Sequence, residues 1–279
     1  MYSFVREIGL IKVLNVMHHS KSGGPFKRIT NVGRKIRERG IQTVIVMPNN
    51  DGPSAAFPAV KEGFTVYQIP HRFPIDVKNP LVHIKWFLAL FPSILFLTKI
   101  IRREGVNIVH NNGMLNIQAS IAAIITGKKL VWHLNDIDTP KIIIKLLSPF
   151  AKIFADSLPV AAENVRTHYF GNWREKCPIL YAPVDTRELD PKNVYTRQTS
   201  ELKKEMHIES NMRIVGTVGH ISPAKGYEYF ILATAKIVKR EPNVKFVIVG
   251  PELETRKDYF KKLKRCEKLQ TIFQMLRRY

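Results

Sequence analysis

The stretch Arg213–Gly250, RIVGTVGHISPAKGYEYFILATAKIVKREPNVKFVIVG, decides the fold. Ile214–Val218 is a short β-branched run set off by glycines, and Lys245–Val249 repeats its character. Between them Tyr227, Ile231, Thr234 and Val238 fall in one helical row, with Phe230, Ala233 and Ile237 beside it. Strand, loop, helix and strand in succession make a βαβ unit. Parallel strands covered on both faces need such apolar runs. The right-handed crossover then brings the Gly219–Gly226 loop to the carboxyl edge of the sheet, where α/β proteins take their ligands.

The atoms of that loop suit an anion. Gly219 and Gly226 allow close backbone approach, Ser222-Pro223 is a turn signal, and a helix starting near Gly226 turns unpaired N–H groups and its positive dipole end outward. Lys225 adds a full charge. A phosphate or diphosphate fits this pattern, and so does a plain strand-to-helix turn with no ligand.

The whole chain has 279 residues, 45% of them hydrophobic, which allows one large domain or two ordinary ones with a real core. Two cysteines, Cys177 and Cys266, give neither a disulfide framework nor metal-ligand spacing, as expected of a reducing cytosol. The early apolar run Ile11–Met17 contains Lys12 and Asn15, so it reads as a strand and not as a secretory signal. Lys and Arg number 44 against 23 Asp and Glu, a formal charge of +21. Such a field favours anionic partners: phosphorylated substrates, an anionic membrane or nucleic acid. RNA-module signatures, such as an aromatic RNP run, are absent, so nucleic acid is disfavoured.

The amino-terminal half repeats the motif. Lys12–Met17 reads as a strand, His18–Gly24 as a loop, and Pro25–Arg39 as a helix closed by Gly40. Gly23-Gly24 therefore forms a second loop of the close-approach kind, with a ligand-free tight connection as the alternative. Strands follow at Gln42–Met47, Phe64–Ile69, Asn107–His110 and Lys129–Trp132, the last running into His133-Leu134-Asn135-Asp136. His133 sits where a parallel strand delivers a side chain to its carboxyl edge, although packing is the commoner use of a lone histidine. Within Leu81–Arg103 the uncharged run Trp86–Thr98 is too short to span a bilayer and contains Pro92. It reads as a buried helix, with a helix lying on a bilayer surface as the alternative. Pro183–Tyr195 reads as an interdomain linker, and Thr255–Tyr279 as a basic amphipathic helix, an ordinary helix of the second domain first and a membrane or nucleic-acid contact as the alternative.

Taken in order, these residues resemble glycosyltransferase family 4. The family's GR-x-S-x-x-KG loop and following IVG strand stand here as Gly219-His220-Ile221-Ser222-Pro223-Ala224-Lys225-Gly226 and Val247-Ile248-Val249-Gly250. Gly23-Gly24 is similar to the amino-terminal glycine loop, Asn107–Gly113 to D-x-V-H-x-H-G, Leu130–Asp136 to the strand ending in His, and Tyr181–Asp185 to the N-G-V-D linker start. The resemblance implies the α/β GT-B architecture of two Rossmann-like, doubly wound parallel-sheet domains. They would be an acceptor-side domain over 1–185 and a nucleotide-sugar domain over 186–279, the latter expected to be incomplete.

It further implies transfer of a hexose from a UDP- or GDP-sugar to a hydroxyl acceptor, lipid-linked, glycan or small molecule. The anomeric configuration would be retained, and neither metal nor cofactor would be needed beyond the nucleotide-sugar substrate. Charge developing on the leaving diphosphate would be met by Gly23, Gly24, Gly219, His220, Lys225 and Gly226. His133 would be the catalytic residue facing the sugar, and Asn112, Asn135 and Asp136 would lie on the acceptor side.

Two departures stand out. His220 occupies the family's arginine position, which replaces a permanent forked donor by an imidazole. The family's E-x7-E motif has no counterpart after Gly250, and Glu201 and Glu209, which share its spacing, precede the loop. A non-catalytic nucleotide-binding remnant, a basic membrane or RNA adaptor, and a GT-B epimerase or phosphorylase are therefore the competing readings. The basic charge suits a cytoplasmic enzyme peripheral to the inner face of a membrane.

Overall fold

In the computed structural model, successive residues of each strand part to opposite sides of a parallel sheet, and the two sides are packed differently. The structure describes residues 10–49, 54–69, 80–186, 190, 192, 196–250, 257–265 and 273–276. The chain divides into two compact units, Met1–Asp185 and Thr186–Tyr279.

In the first unit, β1 (Ile11–Val16), β2 (Ile41–Pro48), β3 (Thr65–Ile69), β4 (Ile108–Asn112) and β5 (Lys129–His133) form one sheet in the order β3-β2-β1-β4-β5. All neighbours are parallel; Val13 lies beside Thr43 on one side and Ile108 on the other. The helices are α1 (Gly24–Arg37), α2 (Ala56–Lys61), α3 (Pro80–Arg103), α4 (Ile117–Ile125), α5 (Lys141–Phe154) and α6 (Glu163–Phe170). Leu14, Val16, Val44, Val46, Val109, Leu130 and Trp132 form one cluster with Leu97 and Ile101 of α3, Ala122 of α4 and Leu147 of α5. The intervening residues Ile45 and Met47 meet Phe26 and Ile29 of α1 and Ala59 of α2 on the other side. Each large side chain so buried contributes about 1.5–3 kcal/mol. On the α1 side, β1, β4 and β5 present Asn15, His110 and His133, whereas the opposite side of these strands is largely apolar, with buried Asn111 of β4 bonded to Ser120 of α4 at 2.8 Å.

The uncharged run of α3 is buried along only one side. Ser93, Ile94, Leu97, Thr98 and Ile101 are covered, while Phe87, Leu88, Phe91 and Leu95 are exposed, so the expected buried helix is only half buried. By length and composition Ile84–Arg103 could cross a membrane, but its inner row is committed to the sheet.

The second unit contains α7 (Thr196–Glu205), β6 (Arg213–Val218), α8 (Tyr227–Ile237), β7 (Val244–Val249), α9 (Lys257–Arg265) and β8 (Phe273–Leu276), with a parallel sheet in the order β6-β7-β8. Ile231, Phe246 and Ile248 pack with Phe260 and Leu263 on one side, and Met206 and Ile208 meet Val247 on the other. Two expectations are corrected here. Phe273 and Leu276 lie on a strand beside β7, not on a continuation of the basic helix. Both faces of β6 were expected to be buried, yet Val215 and Val218 are exposed, β6 being an edge strand among the described residues. Asn50–Gly52, most of the Pro183–Tyr195 linker and the loop 71–79 fall wholly or partly outside the described residues.

Candidate active site

In the first unit the strand ends shape a cavity of about 290 Å³. Met17, His18 and His19 follow β1; Asn112 and Gly113 close β4; Asn135, Asp136, Asp138 and Thr139 follow β5; Pro25 opens α1. The three acceptor-side residues expected from sequence, Asn112, Asn135 and Asp136, thus line one cavity. Asn112 is fixed from several directions. Its Nδ2 donates to the carbonyls of Val16 (3.2 Å) and His110 (3.1 Å), and its Oδ1 accepts from Nη2 of Arg28. Asn116 reinforces the corner, donating to the carbonyls of Asn112 (2.9 Å) and Val16 (3.3 Å). On the β5 side, Trp132 Nε1 donates to the Gly113 carbonyl at 3.0 Å, and the Asp136 carboxylate accepts the Asp138 amide at 3.2 Å. Strand-end backbone is thereby pinned, and the exposed Asp136 and Asp138 carboxylates add acceptors at the cavity rim.

His133 is placed differently from the expectation of a sugar-facing side chain. It is wholly buried on the α1 side of the sheet and lines a second cavity of about 330 Å³, mostly apolar, with Arg28 and His110. Arg28 Nη1 lies 2.5 Å from its Nδ1 and 2.6 Å from its Nε2. His110 stacks on the same ring with centroids 5.4 Å apart, and its Nε2 is 3.2 Å from His133 Nδ1. A neutral His133 accepts from Arg28 through whichever ring nitrogen lacks the proton. Burial first, then the Arg28 charge, lowers His133 to about 2 and His110 to about 3, so both rings are neutral at pH 7. Burial also lowers Arg28 to about 10, still cationic. Among the described residues no carboxylate pairs with Arg28. Sequence reading missed this residue because an arginine on a helix ordinarily snorkels to solvent. Only its place among Phe26, Ile29 and Thr30 on the buried side of α1 could have signalled it.

Gly23 is the extended cap of α1, with Pro25 in the first turn, and Lys27 N donates to the Gly23 carbonyl at 2.9 Å. A Cβ at Gly23 or Gly24 would meet nothing within 4 Å. The fold does not require glycine at either place, so the space they leave at a helix N-terminus is open to another molecule.

In the second unit Gly219, His220, Lys225 and Gly226 share one loop at the carboxyl end of β6. Gly219 N donates to Val249 O at 2.9 Å, and Tyr227 OH donates back to Gly219 O at 2.8 Å. Pro223–Lys225 makes one 3₁₀ turn, and Gly226 at φ 62° and ψ 34° redirects the chain into α8. That left-handed conformation favours glycine. The close approach of β7's end is tighter still: a Cβ on Gly250 would lie 1.9 Å from the Gly219 carbonyl oxygen. His220 and Lys225 are exposed, and neither forms an ion pair among the described residues. The loop therefore offers α8's first N–H groups, a lysine and an imidazole to an anion.

Residues 22–187 match the family model described as Glycosyltransferase Family 4, and residues 198–277 match that of Glycosyl transferases group 1. The chain belongs to glycosyltransferase family 4. This glycosyltransferase also shares its fold with solved GT-B structures. Anabaena HepE, crystallised with UDP and glucose, superposes with a TM-score of 0.76 at 18% identity, over 96% of this chain and 70% of that one. A glycosyltransferase from Rickettsia africae gives 0.74 at 18% identity, over 96% and 68%. The UDP-GlcNAc 2-epimerase of Neisseria meningitidis, bound to UDP-GlcNAc, gives 0.61 at 12% identity, over 96% and 72%. No curated protein matches the sequence significantly.

Proposed function

We propose that this glycosyltransferase moves a hexose from a UDP- or GDP-sugar to a hydroxyl acceptor, with retention of anomeric configuration and without a metal. The observation that carries this reading is the Gly219–Gly226 loop, where exposed Lys225 and the N-terminus of α8 converge in a chain of this family. The bond from the anomeric carbon to the diphosphate oxygen breaks and one to the acceptor oxygen forms; the electron pair leaves with the diphosphate, which takes up the acceptor's hydroxyl proton. Preorganised cations and N–H groups stabilise that charge. UDP in HepE supports a uridine nucleotide. Asn112, Asn135 and Asp136 would hold the acceptor hydroxyl, and His133, behind them, would act through Arg28 and Asn112 as a positioning residue. Cys177, buried and free, suits an enzyme of the reducing cytoplasm.

The test is incubation of the purified chain with UDP-[¹⁴C]glucose and with GDP-[¹⁴C]mannose in EDTA, followed by NMR of the products. Labelled glycoside or hydrolysed sugar of retained configuration is expected, and Lys225→Ala should lower the rate about 10²-fold. Recovery of a donor epimerised at C2 would assign the epimerase reading instead. Binding of neither UDP nor GDP would refute the proposal.

A further inference from the structure

The sheet face covered by α3, α4 and α5 is apolar twice over. Ile94, Leu97 and Ile101 of α3 and Ile144, Leu147 and Ala151 of α5 are buried in the core. Along the outer side of α3, Ile84, Phe87, Leu88, Phe91 and Leu95 recur at helical spacing, each more than half exposed. Outer Ile142, Leu146 and Ile153 of α5 repeat the pattern, also each more than half exposed. Single exposed apolar residues are ordinary, but two stripes on helices of one sheet face are not.

The charges around the stripes indicate what covers them. The α3, α4 and α5 segments contain no Asp or Glu, whereas Lys85, Lys99, Arg102, Arg103, Lys141 and Lys145 are all exposed. Lys99 and Arg102 continue the α3 stripe beyond Leu95, and Lys141 and Lys145 adjoin Ile142 and Leu146. A second copy docked isologously on this face would oppose cation to cation. Apolar side chains among cations, on helices that carry no carboxylate, complement the interface of an anionic bilayer, where acyl chains lie under phosphate headgroups.

We infer that the outer stripes of α3 and α5 dock this protein on an anionic lipid bilayer. The attachment is peripheral. A spanning α3 would strip Leu97, Ile100 and Ile101 from the sheet. The apolar rows enter the acyl boundary while the flanking Lys and Arg side chains remain among the headgroups.

The experiment is flotation of the full chain with vesicles of phosphatidylcholine alone and of phosphatidylcholine with phosphatidylglycerol. The expected result is binding to the anionic vesicles, weakened at high salt. Phe87→Ser/Phe91→Ser and Ile142→Ser/Leu146→Ser should each weaken it about tenfold or more, and Lys141→Gln/Lys145→Gln about tenfold. Because these positions are exposed, circular dichroism and melting should be unchanged. Phe57→Ser on α2, exposed on the other side of the sheet, should bind as the parent does. Equal flotation of the folded stripe variants and the parent would overturn the inference. So would a dimer that the same substitutions dissolve, in a protein that floats with neither vesicle.

Discussion

Nη1 of Arg28 lies 2.6 Å from Nε2 of His133, joining a helix on one side of the sheet to the end of its last strand. The other arm of the guanidinium reaches Asn112, which lines the strand-end cavity. Arg28→Met would remove the charge that lowers both imidazoles, so the pKa values of His133 and His110 should rise while burial holds them below about 6.5. Leaving a buried imidazole nitrogen and the Asn112 oxygen without a donor should also cost about 1–3 kcal/mol of stability. NMR titration of the His Cε1–H resonances and urea unfolding measure the two effects.

The same pair sets an acid limit. Unfolded histidines titrate near pH 6.5, whereas folded His110 and His133 titrate at about 3 and about 2. Below pH 6.5 the unfolded chain therefore takes up protons that the folded one refuses, and stability falls with pH. It is fully present above pH 6.5 and is lost progressively as pH drops towards 3. The slope from two such groups approaches about 2.7 kcal/mol per pH unit. Urea midpoints between pH 7 and 4.5 would show it, and His110→Gln should roughly halve the slope.

Glycines that the fold demands should separate from those it does not. Gly250→Ala drives a methyl into the Gly219 carbonyl, so it should destabilise the second unit by more than about 3 kcal/mol. Gly23→Ala meets open space at an extended φ of −170° and should change stability by less than about 1 kcal/mol. A large loss of donor turnover in folded Gly23→Ala would then report contact with the ligand. Thermal melts beside turnover assays distinguish these outcomes.

Restoring a guanidinium at the exposed position 220 should strengthen diphosphate binding. His220→Arg is expected to bind UDP or GDP about tenfold tighter at pH 7.5, by titration calorimetry, with the melting temperature unchanged. Unaltered affinity would mean that this side chain does not reach the diphosphate.

The fold was legible wherever periodicity and punctuation agreed. The β6–α8–β7 unit follows from β-branched runs, a glycine loop and a single apolar helix row, and β1–α1–β2 repeats it. Short elements carry weaker signals: α2, six residues containing Pro58, is too short to show a helical period, and β8, four residues amid basic sequence, was absorbed into a helix. In the candidate site, Asn112, Asn135 and Asp136 were legible because strand ends in parallel sheets converge on one edge. Arg28 was not, since its role depends on a partner 105 positions away. The burial of His133 was hidden for the same reason: a strand's sequence shows alternation but not which side is dry. The outer stripe of α3 was masked by its inner one, because a helix apolar all round reads as wholly buried.

The edge position of β6 bears on handling the protein. Among the described residues its backbone pairs with β7 on one side only, and its exposed Val215 and Val218 flank Gly216 and Thr217 with no charge between them. Edge strands in soluble proteins are usually guarded by lysine, proline or a bulge. Arg213 stands at one end of this one, and the rest is a bare template for a neighbouring chain's strand. Concentrated solutions should therefore grow intermolecular sheet, seeded from β6, before either unit melts.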